Sequence, residues 1–293
     1  MLRPGPVVRR VLGAVAVLGA LTGAFVAGVA TGAGRPAARA SSGVLDDAAA
    51  QIEAAALHPV DRDTLDAAAL HGMLGAAGDP WGSWVGGPSA AAATGGDPVR
   101  TVASDSGERV VVPAFGAGVG SAVRAAVTAP AARQGLLLDL RGNPGGRLDE
   151  AVATASAFLD GGPVVSYTRR DAGRRTLTAT GHGDTTTPLV VLVDGGTASA
   201  AEVVAAALQD RGRAVLVGSR TFGKGSVQEP QPLPDGTALE LTVARWTTPS
   251  GRSVDGVGLV PDVEVPAGAP ASLAERRGKQ VLEGLRAGAG GRR

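Results

Sequence analysis

Short, wholly apolar runs alternate with longer amphipathic stretches through the middle of the chain. Val110–Val112, Leu136–Leu140, Val164–Tyr167, Leu189–Val193, Ala214–Val217 and Leu239–Trp246 read as strands. Residues 116–132, 148–159 and 199–210 carry apolar positions at helical spacing and read as helices. This alternation over residues 109–266 predicts an α/β core with a largely parallel sheet. Upstream, Leu45, Ile52, Ala56 and Leu57, then Leu65, Ala69, Leu70 and Met73, predict two helices within 41–85, broken at His58-Pro59 and with Asp61 or Asp63 as a cap. Residues 86–108 are rich in Gly, Pro, Ala and Ser and read as a linker. Residues 267–293 read as a surface helix (Ser272–Arg286) and tail, and no internal repeat is present.

The N-terminal pattern differs. Val11 to Gly34 is 24 residues without a charge. As a helix it would cover about 36 Å, enough for a hydrocarbon layer of about 30 Å. Arg3, Arg9 and Arg10 precede it, which places residues 1–10 in the cytoplasm. A cleaved signal peptide is the alternative, because Ala38-Arg39-Ala40 has a small-x-small pattern. Under either reading the rest of the chain is exported, membrane-anchored or secreted.

Composition then removes whole chemistries. The chain of 293 residues has no cysteine, which excludes disulfides, thiol nucleophiles, thiolate zinc and iron–sulfur clusters. A net charge of +1 argues against nucleic-acid binding. Lys224 and Lys279 are the only lysines; every other basic residue is Arg. A lysine in a chain that otherwise uses arginine is notable, because a buried lysine can lose its proton and act as a base.

Three segments carry chemistry. The strand Leu136–Leu140 runs into Arg141-Gly142-Asn143-Pro144-Gly145-Gly146, where paired glycines bring backbone N–H groups close to a ligand oxygen or simply make a turn. Gly195-Gly196-Thr197-Ala198-Ser199 opens a helix, and Ser199 with Glu202 forms a capping-box pattern. That pattern fits a plain cap and equally a hydroxyl at a positive helix terminus. The third segment is Thr221-Phe222-Gly223-Lys224-Gly225-Ser226-Val227-Gln228. Gly218, Gly223 and Lys224 have the spacing of a phosphate loop, but Gly225 stands where Ser or Thr is needed. Prolines at 230, 232 and 234 also forbid the helix such a loop must open. Nucleotide binding is therefore not expected.

In this order the three segments resemble the C-terminal processing (tail-specific) peptidases, exported serine proteases with a Ser/Lys dyad. The resemblance extends to Ala244–Arg252 and Gly256–Asp262, and more weakly to 44–85 with Gly78-Asp79-Pro80-Trp81. It implies a crotonase/ClpP-like protease core and a serine endopeptidase. Ser199 would be the nucleophile and Lys224 the general base. Gln228 would orient the amine, and Gly145, Gly146 and Ala200 would supply oxyanion N–H groups. It implies no cofactor and no metal, and His58, His71 and His182 lack ligand spacing. The partner implied is a protein or peptide substrate. Most family members carry a PDZ domain where this chain has only residues 86–108, too few for a domain. The competing readings are a membrane-tethered, non-catalytic binding module on the same fold and, with no CoA-like site to support it, a crotonase-like acyl-transfer enzyme.

Overall fold

Leu136–Asp139 and Leu189–Val193 are apolar at nearly every position because both faces of the sheet they form are covered. The computed structural model describes residues 42–85, 98–104, 107–170 and 172–290. Two compact units are present, one through Ala69 and one from Leu70. The first contains α1 (Ser42–Ala55), with Val44, Leu45 and Ile52 exposed, and the start of α2 (Arg62–Ala76). Asp61 caps α2 by accepting from the Thr64 N–H at 2.8 Å, as the sequence predicts. Arg62 pairs with Asp46 and with Asp66.

The second unit is built on two sheets. One is formed by β2 (Arg100–Ser104), β3 (Gly107–Val111), β4 (Leu136–Asp139), β7 (Leu189–Val193), β8 (Val215–Gly218) and β11 (Val263–Glu264), in the order β11-β8-β7-β4-β3-β2. All its pairs are parallel except β2–β3. Its helices are α3 (Val119–Thr128), α4 (Leu148–Ser156) and α5 (Ala200–Asp210) on one face, and α6 (Ala271–Gly290) on the other. The strand period of two sorts the side chains: Leu136, Leu138, Val191 and Val193 join the first core, whereas Leu137, Val190 and Leu192 join the second.

The other sheet comprises β1 (Ser83–Val85), β5 (Pro163–Arg169), β6 (Gly173–Thr178), β9 (Ser226–Pro232) and β10 (Ala238–Thr247), all antiparallel. The long strand β10 pairs with β1, β5 and β9.

Three sequence expectations are corrected. The core sheet is not the whole core: the antiparallel sheet includes β6 and β9, whose exposed polar and proline positions leave no apolar period. Pro230 and Pro232 fit β9 because it lies at a sheet edge. Residues 100–104, within the expected linker, form edge strand β2, whose first residues are exposed and so carry no buried pattern. The helix expected on the surface covers the second face instead, with Leu282 fully buried. Gly278 permits this approach: a Cβ there would stand 2.7 Å from Leu192 and 2.9 Å from Leu137. Its Arg- and Glu-rich composition hid a narrow apolar stripe.

The apolar segment 11–34 and residues 86–97 lie outside the described residues. Among the described residues, no helix is long and apolar enough to cross a membrane.

Candidate active site

Strands β4 and β7 pair in parallel, Leu136 opposite Leu189, so the turns that follow them leave from the same end of the sheet. The turn after β7 ends at Ser199, the residue before α5. Ser199 has φ 54° and ψ −119° and is the one described non-glycine residue with positive φ. Such a conformation costs on the order of 1–3 kcal/mol and persists only where neighbours impose it. Here Glu202 imposes it, accepting from the Ser199 N–H at 2.9 Å. Thr197 adds a hydroxyl bond to the Leu140 carbonyl at 2.9 Å. Ser199 is half-buried, at the positive end of α5.

The glycine turn after β4 is seated against it. Asn143, fully buried, donates to the Val112 carbonyl and accepts from the Gly145 N–H, both at 2.8 Å. Its own carbonyl accepts from the Ala198 N–H at 2.9 Å. Gly145 has φ 105°, and a Cβ there would lie 2.9 Å from the Ser199 Cβ. Only glycine therefore brings this turn onto the serine. The Gly145 N–H is committed to Asn143. Among the described residues no partner is present for the Gly146 N–H, and Ala200, first residue of α5, has no intrahelical acceptor.

Lys224 comes from the loop between β8 and β9. Its N–H donates to Glu202 at 2.9 Å and its carbonyl accepts from the Trp246 indole N–H at 3.0 Å. Glu202 is completely buried and also accepts from the Gly223 N–H at 2.8 Å and the Thr221 hydroxyl at 2.5 Å. One carboxylate thus holds the backbones of both Ser199 and Lys224. At Gly223, φ 92°, a Cβ would lie 2.8 Å from the Gly258 nitrogen, and at Gly258, φ 68°, a Cβ would lie 2.2 Å from the Thr221 carbonyl oxygen, so both positions require glycine.

The Lys224 amine is half-buried. Burial lowers its pKa from the ordinary lysine value, and Glu240 and Asp79 partly oppose this. Its nitrogen sits 5.4 Å from the centroid of the Trp81 ring, within cation–π range. Among the described residues it makes no hydrogen bond to Ser199 or Gln228. On β9, Gln228 donates through Nε2 to Ser226 at 2.8 Å and to Thr242 at 3.2 Å. Its carbonyl oxygen is left to accept.

Ser199, Ala200, Gly146, Lys224 and Gln228 line one cavity of about 360 Å³, floored by Trp246. The structure thus brings together every residue singled out in the sequence except Gly145, whose backbone supports the site from behind. A larger cavity of about 610 Å³, bounded by Asp139, Arg141 and Val265–Ala271, contains neither Ser199 nor Lys224. Among the described residues no group of three His, Asp or Glu side chains could hold a metal ion. Sequence reasoning assigned Glu202 a capping role only and gave Asn143, Trp81, Thr242 and Trp246 no role of their own. The bonds Asn143–Val112, Thr242–Asp79 and Trp246–Lys224 span 31, 163 and 22 residues and share no local pattern.

The sequence model of peptidase family S41 matches residues 109–265, more than half of the chain. The carboxy-terminal-processing protease of Bartonella bacilliformis is 48% identical over 134 residues, 45% of this chain and 31% of that protein. The chloroplastic carboxyl-terminal-processing peptidase 3 of Arabidopsis thaliana is 46% identical over 142 residues, 48% and 27% of the two chains. The chain spans about a third of the length of these relatives. Among solved structures, the photosystem II D1 C-terminal processing protease superposes with a TM-score of 0.54 at 34% identity, covering 64% of this chain and 52% of that one. A lipoprotein from Streptococcus agalactiae shares the fold, with a TM-score of 0.62 at 16% identity over 86% and 99% of the chains. The five ordered motifs, the mixed α/β core that carries them and the match across residues 109–265 agree: the chain belongs to peptidase family S41, the tail-specific serine peptidases.

Proposed function

We propose that this chain is an exported serine endopeptidase that cleaves unfolded protein through an acyl-enzyme on Ser199. The observation that carries the reading is the double hold of Glu202 on the Ser199 and Lys224 backbones, beside one cavity. Neutral Lys224 takes the Ser199 proton as the oxygen bonds to the scissile carbonyl carbon. The oxyanion receives the N–H groups of Gly146 and Ala200, donors worth about 3–4 kcal/mol each. Lys224 then passes its proton to the leaving amine as the C–N bond breaks, and water hydrolyses the ester. Gln228 accepts from the lysine amine and orients it.

The reading includes the segment 11–34 as a membrane anchor or export signal, with the catalytic part outside the cytoplasm. Relatives named for carboxy-terminal processing support a protein substrate. With only residues 86–108 where a PDZ domain would stand, selection of the cut falls to the cleft.

The test is hydrolysis of a labelled unfolded protein by the full chain. Ser199→Ala and Lys224→Ala are each expected to lower the rate by roughly 10⁴-fold or more, with unchanged circular dichroism. A folded wild type without Ser199-dependent cleavage, and without acylation by a fluorophosphonate, would favour the non-catalytic binding module instead. Protease accessibility in intact cells decides the side of the membrane.

A further inference from the structure

The loop that carries Lys224 is covered by a strap from the other end of the chain, Gly78–Val85. The strap is pinned to β10 by strand pairing of β1 (Ser83 opposite Glu240, Trp84 opposite Leu239). The Trp84 indole N–H adds a bond to the Thr237 hydroxyl at 3.0 Å. Asp79 fixes the strap from its first residues: it accepts from both the N–H and the hydroxyl of Thr242 at 2.7 Å. The same carboxylate accepts from the Trp81 N–H at 3.1 Å, which sets where that residue stands. The Trp81 ring packs at a tilt of 57° on Phe222, centroids 5.7 Å apart, two residues before Lys224. Its other contact of note is the Lys224 amine.

Thr242 also fixes a direction. Its hydroxyl donates to Asp79 and so accepts from Gln228. The Gln228 amide nitrogen is spent on Thr242 and Ser226, leaving the carbonyl oxygen as the acceptor for an amine. An acceptor for Lys224 is prepared in the cavity that Ser199 lines, and the amine rests on Trp81 instead.

We propose that Trp81 is a positioning residue: its indole face holds the charged Lys224 ammonium in a resting place, from which the lysine moves to Gln228 and Ser199 when it loses its proton. A ring quadrupole attracts a cation and has no such hold on a neutral amine. Proton loss and release from Trp81 are therefore one event, and the base reaches the nucleophile only in the form that can act. The inference rests on the Ser199/Lys224 reading above. The other charged groups facing the amine are Asp79 on the strap and Glu240 on β10, while Glu202 from α5 reaches only its backbone. Asp79 and Glu240 favour the ammonium as Trp81 does, whereas burial disfavours it.

Having two lysines makes the test direct. The full chain labelled with [¹³Cε]-lysine gives two resonances, and Lys224→Arg assigns them. In the wild type the Lys224 signal is expected upfield of Lys279, displaced by the indole ring current. In Trp81→Leu it moves to the ordinary lysine position and titrates about 0.5–1 pH unit lower, with Trp81→Phe between. The acid limb of Ser199 acylation by a fluorophosphonate moves down with it, so that acylation at a pH below that limb rises about 3- to 10-fold. A wild-type resonance without upfield displacement overturns the proposal, as does an equal titration midpoint in folded Trp81→Leu. If that variant does not fold, the wild-type displacement alone decides. A wild type that is never acylated at Ser199 sinks the protease reading, while the lysine spectrum still decides the fate of Trp81.

Discussion

Ser199 and Lys224 stand on different kinds of sheet. The Ser199 turn and the glycine turn beside it hang from β4 and β7, apolar parallel strands buried on both faces. Lys224 precedes β9, which belongs to the antiparallel sheet, and its platform is completed by polar, half-exposed strands and the strap through Trp81. The first half is held by backbone and buried carboxamide; the second holds its lysine backbone firmly and its amine through one ring contact. The difference teaches that the proposed dyad has a rigid member and a movable one. Glu202 is the staple between them.

Breaking the staple gives the largest effect after loss of the dyad itself. Glu202→Ala leaves four donors without their acceptor in a completely buried place. We expect a stability loss of about 3 kcal/mol or more by denaturant titration. Turnover should fall by more than about 10²-fold, the order of losing one oxyanion donor. Wild-type turnover in this variant would mean that the two halves align without the staple. Asn143→Ala acts on the rigid half alone. It frees the Gly145 N–H and the Val112 carbonyl, at about 1–3 kcal/mol. The Lys224 titration should stay where it is, and a shift there would show that the halves are not separate.

Trp246→Phe acts on the movable half. It keeps the ring and removes the bond to the Lys224 carbonyl, about 1 kcal/mol by unfolding measurements, with turnover reduced several-fold. The smallest effect is expected from acid. Burial pushes the Asp79 carboxyl up, but its bonds from Thr242, Trp81 and Gly82 outweigh this and hold it below the ordinary carboxylate range. Its contribution is complete above the unfolded value of 3.8 and is lost as pH falls through the lower folded value. Asp79→Asn should remove that part of the acid dependence of stability, and an unchanged profile would release the strap from this role.

The two halves were unequally legible. Strands β4 and β7 and helix α5 follow the apolar runs within a residue or two, because a strand buried on both faces has no polar position to disguise it. Strands β2, β6 and β9 passed unseen, since exposed edges place few demands on side-chain type. For the site, the resemblance to the tail-specific peptidases marked Ser199, Lys224 and Gln228 as a set, and the three line one cavity. Gly145 was marked as an oxyanion donor, whereas its N–H is bound by Asn143, a contact that depends on how the turn seats against β3.

What the sequence determined by itself was the alternating core, the glycine turns and the ordered motifs that carry Ser199 and Lys224. These depend on local patterns of volume, charge and backbone freedom. What the tertiary structure alone decided was their mutual hold: Glu202 joining Ser199 to Lys224, Thr242 orienting Gln228, and Trp81 meeting Lys224 across 143 residues of chain. Those bonds link side chains whose neighbours in space come from distant strands. The strand pairing that unites them, β1 with β10 and β10 with β9, is written in no single segment.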